Sequence, residues 1–328
     1  MADWRGCRVL VTGAYGFLAS HLIEALLTAG AEVIGLVRDR PAESYLQLQG
    51  LDQRVTLAPG DLVDFEAVKR ALLEGEVEVV FHLAAQAIVG LANRSPLSTF
   101  ESNIRGTYLL LEACRELRQD GAPIRAIVVA SSDKAYGDQE ALPYTEDAPL
   151  LGLHPYDASK SCCDLLTRAM SKTYGLPAAV TRCANLYGPG DLNFSRIIPA
   201  TIQSLLRGQR PIIRSDGSPQ RDYLFVGDCV RGYLALAETL LAGRGASRAY
   251  NLGTGRPVTV LELVREIIAV VGADLEPDVQ GTASSEILHQ YLDASRAGRE
   301  LGWTAQTSLR EGLQITKDWY REYLQAHG

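Results

Sequence analysis

The sequence predicts an α/β fold built on a doubly wound, parallel Rossmann-type sheet, and three observations carry that expectation. Strand-length apolar runs alternate with helix-period segments through the first half, which implies parallel strands joined by crossovers. A turn with glycine spacing, Gly13-x-x-Gly16-x-x-Ala19, follows the first run. The 328 residues suit about two domains at roughly 150 residues each. In chain order, residues 8–12 read as the first strand, with a helix from about Gly16, and 32–37 as the second. Residues 55–57 form the third strand before a helix near 64–73, and 77–83 the fourth before a helix near 99–118. Residues 125–130 and 178–182 continue the series around a helix near 156–173. Past Gly188 the texture changes: a turn at 188–193, a helix near 197–206, a turn at Asp216-Gly-Ser-Pro219 and a strand at 223–226. Thr259 with Glu262 fits a capping box opening a helix over 260–271, and a last helix falls near 308–323. The expected division is a Rossmann domain at 1–187, with 222–252 returning to it, and a smaller C-terminal α/β domain from 188–221 and 253–328.

Composition excludes several classes of function. Thirty-nine acidic against 32 basic residues leave a net charge of −7 without a Lys/Arg-rich run, which argues against nucleic acid or an anionic membrane as partner. No apolar run approaches the ~20 residues that span a bilayer, and the N-terminus lacks the apolar core of a signal peptide, so a cytoplasmic location is expected. Cys7, Cys114, Cys162, Cys163, Cys183 and Cys229 show no CxxC or Cys/His ligand spacing. They read as reduced thiols, and no metal is expected.

The chemistry-bearing motifs lie at strand ends. Gly13 permits a tight turn, and Gly16 lets backbone amides approach a pyrophosphate at the positive end of a helix, although any strand-to-helix turn wants glycine. Gly60-Asp61-Leu62 follows the third strand, where Asp61 and the adjacent amide either hold an adenine or cap the next helix. His82-Leu83-Ala84-Ala85-Gln86 ends the fourth strand in small residues that would admit a flat cofactor, with His82 itself packed in the strand. Tyr156 and Lys160, four apart, share one helix face. A lysine beside a tyrosine stabilises the phenolate, lowering its pKa from about 10 so that it can take a proton from an alcohol. That arrangement enables hydride transfer to a nicotinamide. Lysine is scarce, five against 27 arginines, and Lys134 and Lys160 both fall in this region.

With these motifs in view, the chain resembles the extended short-chain dehydrogenase/reductase family of nucleotide-sugar enzymes over nearly its whole length. The carrying stretches are Thr12-Gly-Ala-Tyr-Gly-Phe-Leu-Ala-Ser, His82-Leu-Ala-Ala-Gln, Asn103-Ile-Arg-Gly-Thr, Ser131-Ser-Asp-Lys-Ala-Tyr-Gly, Tyr156-Asp-Ala-Ser-Lys, Arg182-Cys-Ala-Asn-Leu-Tyr-Gly-Pro-Gly, Arg221-Asp-Tyr-Leu-Phe-Val-Gly-Asp and Asp293-Ala-Ser-Arg-Ala-Gly-Arg-Glu-Leu-Gly-Trp. Ser132-Asp133-Lys134 looks like the arrangement of the NDP-sugar 4,6-dehydratases, most similar to the CDP-glucose 4,6-dehydratase group, with Lys134 where several relatives carry Glu. Gln86 points the same way.

The resemblance implies a water-eliminating lyase acting on a nucleotide-diphosphate hexose through a tightly bound, recycled NAD or NADP. It gives Tyr156 as the base that starts C4 oxidation, Ser132 on the C4 oxygen, Asp133 as acid, Lys134 as C5 base and Lys160 beside the phenol. Gly13, Tyr15, Gly16, Phe17, Leu18, Asp61, Leu62, Leu83, Ala84 and Ala85, with Tyr156 and Lys160, would hold the dinucleotide. Gln86, Asn185, Arg196, Arg221 and Arg296 would hold the nucleotide sugar, guanidinium forks matching phosphate oxygens. For Arg196, and for Arg214, solvated surface is the plainer reading. A homodimer through helices near 99–118 and 156–173 also follows from the resemblance. An NDP-sugar 4-epimerase is the alternative activity, and a non-catalytic cofactor-binding regulator a third. The second strand ends at Val37 with Arg38 next and no carboxylate in place, which tilts the expectation toward NADP unless Asp39 supplies the acid.

Overall fold

A computed structural model describes residues 3–282 and 287–327. Its first half runs β1 Arg8–Thr12, α1 Phe17–Thr28, β2 Glu32–Val37, α2 Tyr45–Leu48, β3 Thr56–Pro59, α3 Phe65–Glu74, β4 Val79–His82, α4 Val89–Arg94, α5 Pro96–Phe100, α6 Gly106–Gln119, β5 Ala126–Ala130, α7 Pro155–Tyr174 and β6 Ala178–Cys183. The second continues β7 Asn185–Tyr187, α8 Ile197–Leu206, β8 Ile212–Ile213, β9 Gln220–Arg221, β10 Tyr223–Phe225, α9 Val226–Leu241, β11 Ala249–Leu252, β12 Val258–Thr259, α10 Val260–Val271, β13 Asp278–Val279, β14 His289–Gln290, α11 Ser295–Leu301 and α12 Leu309–His327.

Seven parallel strands make the main sheet in the order β11-β6-β5-β4-β1-β2-β3. The strands read as unbroken apolar runs because helices cover both faces. In β1, Val9 and Val11 join the core under α1 and α9 with Leu22, Ile23, Tyr233 and Leu236. Leu10, pointing the other way, joins Val68, Leu72, Leu110 and Leu111 of α3 and α6. Strand order reverses between β1 and β4, and a crevice for a ligand is expected outside the carboxyl ends of those two strands.

The second half has its own core, in which Ile198 and Ile202 of α8 meet Leu263 and Ile267 of α10 and Leu313 and Tyr320 of α12. The Thr259–Glu262 capping box opens α10 as the sequence predicts. The helix expected near 99–118 is instead interrupted: α5 starts at Pro96, and a π-helical turn over Glu101–Arg105 precedes α6. At that turn the Asn103 carbonyl accepts from the Thr107 hydroxyl and the Cys163 thiol, partners outside the helical ladder. Among the described residues, no helix is long and apolar enough to cross a membrane.

Candidate active site

At the switch point, one threonine fixes the spacing of the two strands. Thr12 Oγ1 accepts from the amides of Leu83 (3.1 Å) and Ala84 (3.0 Å) and shares a proton with His82 Nδ1 at 2.9 Å. His82 Nε2 meets Thr107 Oγ1 at 2.9 Å, and burial pushes the imidazole down to about 3, so it is neutral and structural. Gly13 has a φ of +69°, and a Cβ there would sit 2.9 Å from the Ala84 Cα, so only glycine fits this turn. Gly16 follows as the residue opening α1.

A cleft of about 1410 Å³ opens here, lined by Gly16, Phe17, Leu18, Leu83 and Ala85 on the Rossmann side. Ser132, Asp133, Lys134, Tyr156 and Lys160 form its floor, while Asn185, Arg196, Arg214, Arg221 and Tyr223 reach in from the second half. Arg214 and Arg196 line the cleft and remain solvent-accessible, so the surface reading of both stands alongside their place in the cleft. Arg38, Asp61 and Leu62 lie apart from them, at or beyond the carboxyl ends of β2 and β3. Asp61 accepts from the Val63 amide, and the cap of α3 is Asp64, not Asp61.

Three buried side-chain polar atoms lack a hydrogen-bond partner among the described residues: Tyr15 Oη, Gln86 Nε2 and Asp133 Oδ2. All three belong to residues the sequence assigned to cofactor, substrate or catalysis. Buried polar groups are otherwise satisfied in folded proteins; of the three residues, Asp133 lines the cleft, where a bound ligand would complete its Oδ2, while Tyr15 and Gln86 are not among the lining residues. Gln86 is held from behind, its amide donating to Asn103 Oδ1 at 2.7 Å and its carbonyl accepting from Asn103 Nδ2 at 3.1 Å.

The floor is a short helical turn, Asp133–Tyr136, whose cap Ser132 accepts from the Lys134 amide and donates to Asp133 Oδ1 at 3.0 Å. Burial raises the Asp133 carboxyl, against the opposing pull of Lys134, so it is biased toward its acid form. Tyr156 differs from expectation. Burial drives its phenol above the usual range, opposed by a hydrogen bond with Ser132 and the charge of Arg196. Lys160, lowered by burial, donates to the Ala130 carbonyl at 2.8 Å. Desolvation is thus the largest influence on the phenol, and it raises it.

Arg296 is a correction. It does not line the cleft; its guanidinium reaches Asp147 at 2.8 Å and Glu146 at 3.7 Å, tying α11 to the 146–147 segment. Arg38 likewise spends its Nε on Asp39 at 2.6 Å and is exposed, which removes the argument that its charge awaits a phosphate. Gln290, wholly buried, escaped the sequence reading: its Oε1 accepts from Lys134 Nζ and its Nε2 donates to the Asp133 carbonyl at 3.1 Å. No motif marked it, 156 positions from Lys134.

A parallel sheet with a glycine turn at its switch point, and a Ser/Tyr/Lys floor beside it, defines an extended short-chain dehydrogenase/reductase. Residues 10–316 match the family model described as GDP-mannose 4,6 dehydratase, and the chain belongs to that family. It is 32% identical to a CDP-glucose 4,6-dehydratase of Salmonella typhimurium over 98% of this chain and 92% of that one. A solved dTDP-glucose 4,6-dehydratase from Streptomyces venezuelae with NAD bound superposes with a TM-score of 0.85 at 32% identity, covering 97% and 98% of the two chains. A UDP-glucose 4-epimerase from Thermotoga maritima with UDP-glucose gives 0.88 at 30% identity, over 96% and 99%. The chain spans about half the length, 48%, of other curated relatives it matches, trifunctional plant enzymes of Arabidopsis thaliana.

A carboxyl whose folded pKa is raised binds its proton more tightly than in the unfolded chain, so it costs stability as pH rises above its ordinary value. Asp133→Asn should therefore raise the melting temperature at pH 8 by roughly 2–4 °C, and by less at pH 5. Calorimetry at both values checks this, and an equal fall at both would contradict it.

Proposed function

We propose that the protein is a nucleotide-sugar 4,6-dehydratase, converting an NDP-hexose to an NDP-4-keto-6-deoxyhexose. The observation that carries the reading is the Asp133-Lys134 pair beside Ser132 and Tyr156 in one cleft, with Asp133 buried, raised and unpaired at Oδ2. Elimination needs an acid and a base at C6 and C5 in addition to the group that handles the C4 oxygen, whereas a simple C4 inversion needs only the latter. Bound NAD supplies reversible storage of a hydride. Tyr156 must first be ionised, against the burial that raises its phenol; the phenolate then accepts the proton of the C4 hydroxyl while Ser132 donates to that oxygen, and with loss of the C4 hydride the resulting ketone acidifies the C5 proton. Lys134 removes it, the C5 electron pair becomes the C5–C6 double bond, and the C6 hydroxyl departs as water with the proton of Asp133. Once C6 carries hydride, the Lys134 ammonium would reprotonate C5, and transfer of the proton held by Tyr156 to Asp133 through solvent would reset both groups. Among the cleft arginines, 214 and 221 suit the diphosphate by charge, whereas Arg196 is already paired with Asp191 at 2.9 Å.

The 4-epimerase is kept as a second reading because the UDP-glucose 4-epimerase superposes well. A panel of UDP-, CDP- and dTDP-glucose and GDP-mannose, read by mass spectrometry, separates the two. One member should give a product lighter by one water, and an isobaric product would overturn the dehydratase reading. Tyr156→Phe should slow turnover by about 10²-fold or more, and Lys134→Met should stop water loss while reduced nicotinamide still forms.

NAD is the proposed dinucleotide, on the precedent of the similar dTDP-glucose 4,6-dehydratase structure with NAD bound, and because Asp39, beside Arg38 at the end of β2, offers a carboxylate where NAD-binding folds use one. A homodimer is supported by exposed apolar side chains on α5, α6 and α7, among them Leu97, Phe100, Tyr108 and Leu165. Native mass spectrometry of the purified protein should find a dimer releasing two NAD. Release of NADP, or a monomer, would overturn the corresponding part.

A further inference from the structure

The dehydratase reading leaves one requirement without a residue to meet it. Lys134 must give up a proton, receive one from carbon and return it, all while its amine stays in one place. A flexible four-carbon side chain does not hold such a position unaided. The buried side chain of Gln290 lies against it. Gln290 Oε1 accepts from Lys134 Nζ, and Gln290 Nε2 donates to the Asp133 carbonyl at 3.1 Å, so one amide bridges the base and the backbone of the acid. Gln290 is fully buried. It enters from β14, which pairs with β9 in a register that sets Gln290 opposite Arg221, a cleft arginine. The base is thereby tied to a strand of the substrate-binding half.

Chemistry explains why an amide suits this position. An amide oxygen accepts from an ammonium and, more weakly, from a neutral amine, so it can orient Lys134 in both protonation states without carrying a formal charge of its own. A carboxylate there would favour the charged form and oppose proton loss. From the geometry, and resting on the dehydratase reading, we propose that Gln290 is the positioning residue that fixes Lys134 for C5 deprotonation and has no part in C4 oxidation. The carboxyl groups of Asp133 and Asp157 also feel the Lys134 charge, and burial raises both.

The test uses the full chain with its dinucleotide and the nucleotide hexose, from the panel of UDP-, CDP- and dTDP-glucose and GDP-mannose, that the unmodified protein converts. Two readouts are taken on Gln290→Leu: formation of reduced nicotinamide, which follows C4 oxidation, and loss of water with C5 deuterium uptake in heavy water. Misplacing the base should cut the second by about 10²-fold and leave the first within about 3-fold, so that reduced nicotinamide accumulates. Gln290→Glu, close to isosteric, should show the same split and carries the test if the leucine variant does not fold. Oxidation and elimination falling together, or neither falling, would overturn the assignment while leaving the dehydratase reading intact. An unmodified protein that inverts C4 without losing water would overturn both.

Discussion

The site depends on one buried charge. Arg182 of β6 is 1% exposed, and its guanidinium forks onto Asp164 of α7 at 2.7 and 3.0 Å. The same group donates to Tyr136 Oη at 2.7 Å and to the Glu146 carbonyl at 3.1 Å, and stacks 4.8 Å from the Tyr136 ring centre. Asp164 lies one turn beyond Lys160 and two beyond Tyr156, while Tyr136 ends the turn that carries Asp133 and Lys134. One arginine therefore fixes the helix with the phenol against the loop with the acid and base. Burying a charge is costly unless it is paired and hydrogen-bonded, and removing one partner of such a pair typically costs about 3–5 kcal/mol. The network continues through Tyr136 to Asn251 of β11, whose amide donates to the Tyr144 and Asp293 carbonyls. The catalytic turn is thus braced from the sheet, the long helix and the segment leading into α11.

Around that brace, the cleft joins parts of different origin. The Rossmann half sets the dinucleotide end through Thr12, Gly13 and the segment after β4, all of which follow from strand order reversing at β1 and β4. The second half supplies the arginines. Asp191, nearly buried, holds Arg196 at 2.9 Å, and Tyr320 of α12 donates to the Asp191 carbonyl, so even the terminal helix helps orient a cleft side chain. Arg221 and Gln290 sit side by side on the β9–β14 ladder, so a cleft arginine neighbours the amide that accepts from Lys134 Nζ.

Much of this was legible because it is local. Alternating runs mark the sheet, since parallel strands covered on both faces must be apolar throughout, and the Gly13 turn, the Tyr156–Lys160 spacing and the Thr259 cap each need only neighbours in sequence. What the sequence hid depends on tertiary packing. Two-residue strands such as β9, β12 and β14 have no periodicity to read. The π turn at Asn103 exists because Thr107 and Cys163 capture its carbonyl. Arg296 and Arg221 look alike as arginines in motifs, yet one faces Glu146 and Asp147 and the other the cleft. Spacing predicted that Lys160 would hold the Tyr156 phenol down, but burial, a property of the whole fold, dominates and acts the other way.

The central claim is that this cleft moves one hydride within a single sugar, from C4 to C6, while Asp133 and Lys134 remove water between the two transfers. The most direct measurement gives the enzyme an NDP-hexose carrying deuterium at C4, mixed with unlabelled substrate, and locates the label in the product. The account predicts deuterium at C6 of a keto product lighter by one water, with labelled and unlabelled molecules remaining distinct. Deuterium retained at C4 of a product that has lost no water would contradict it.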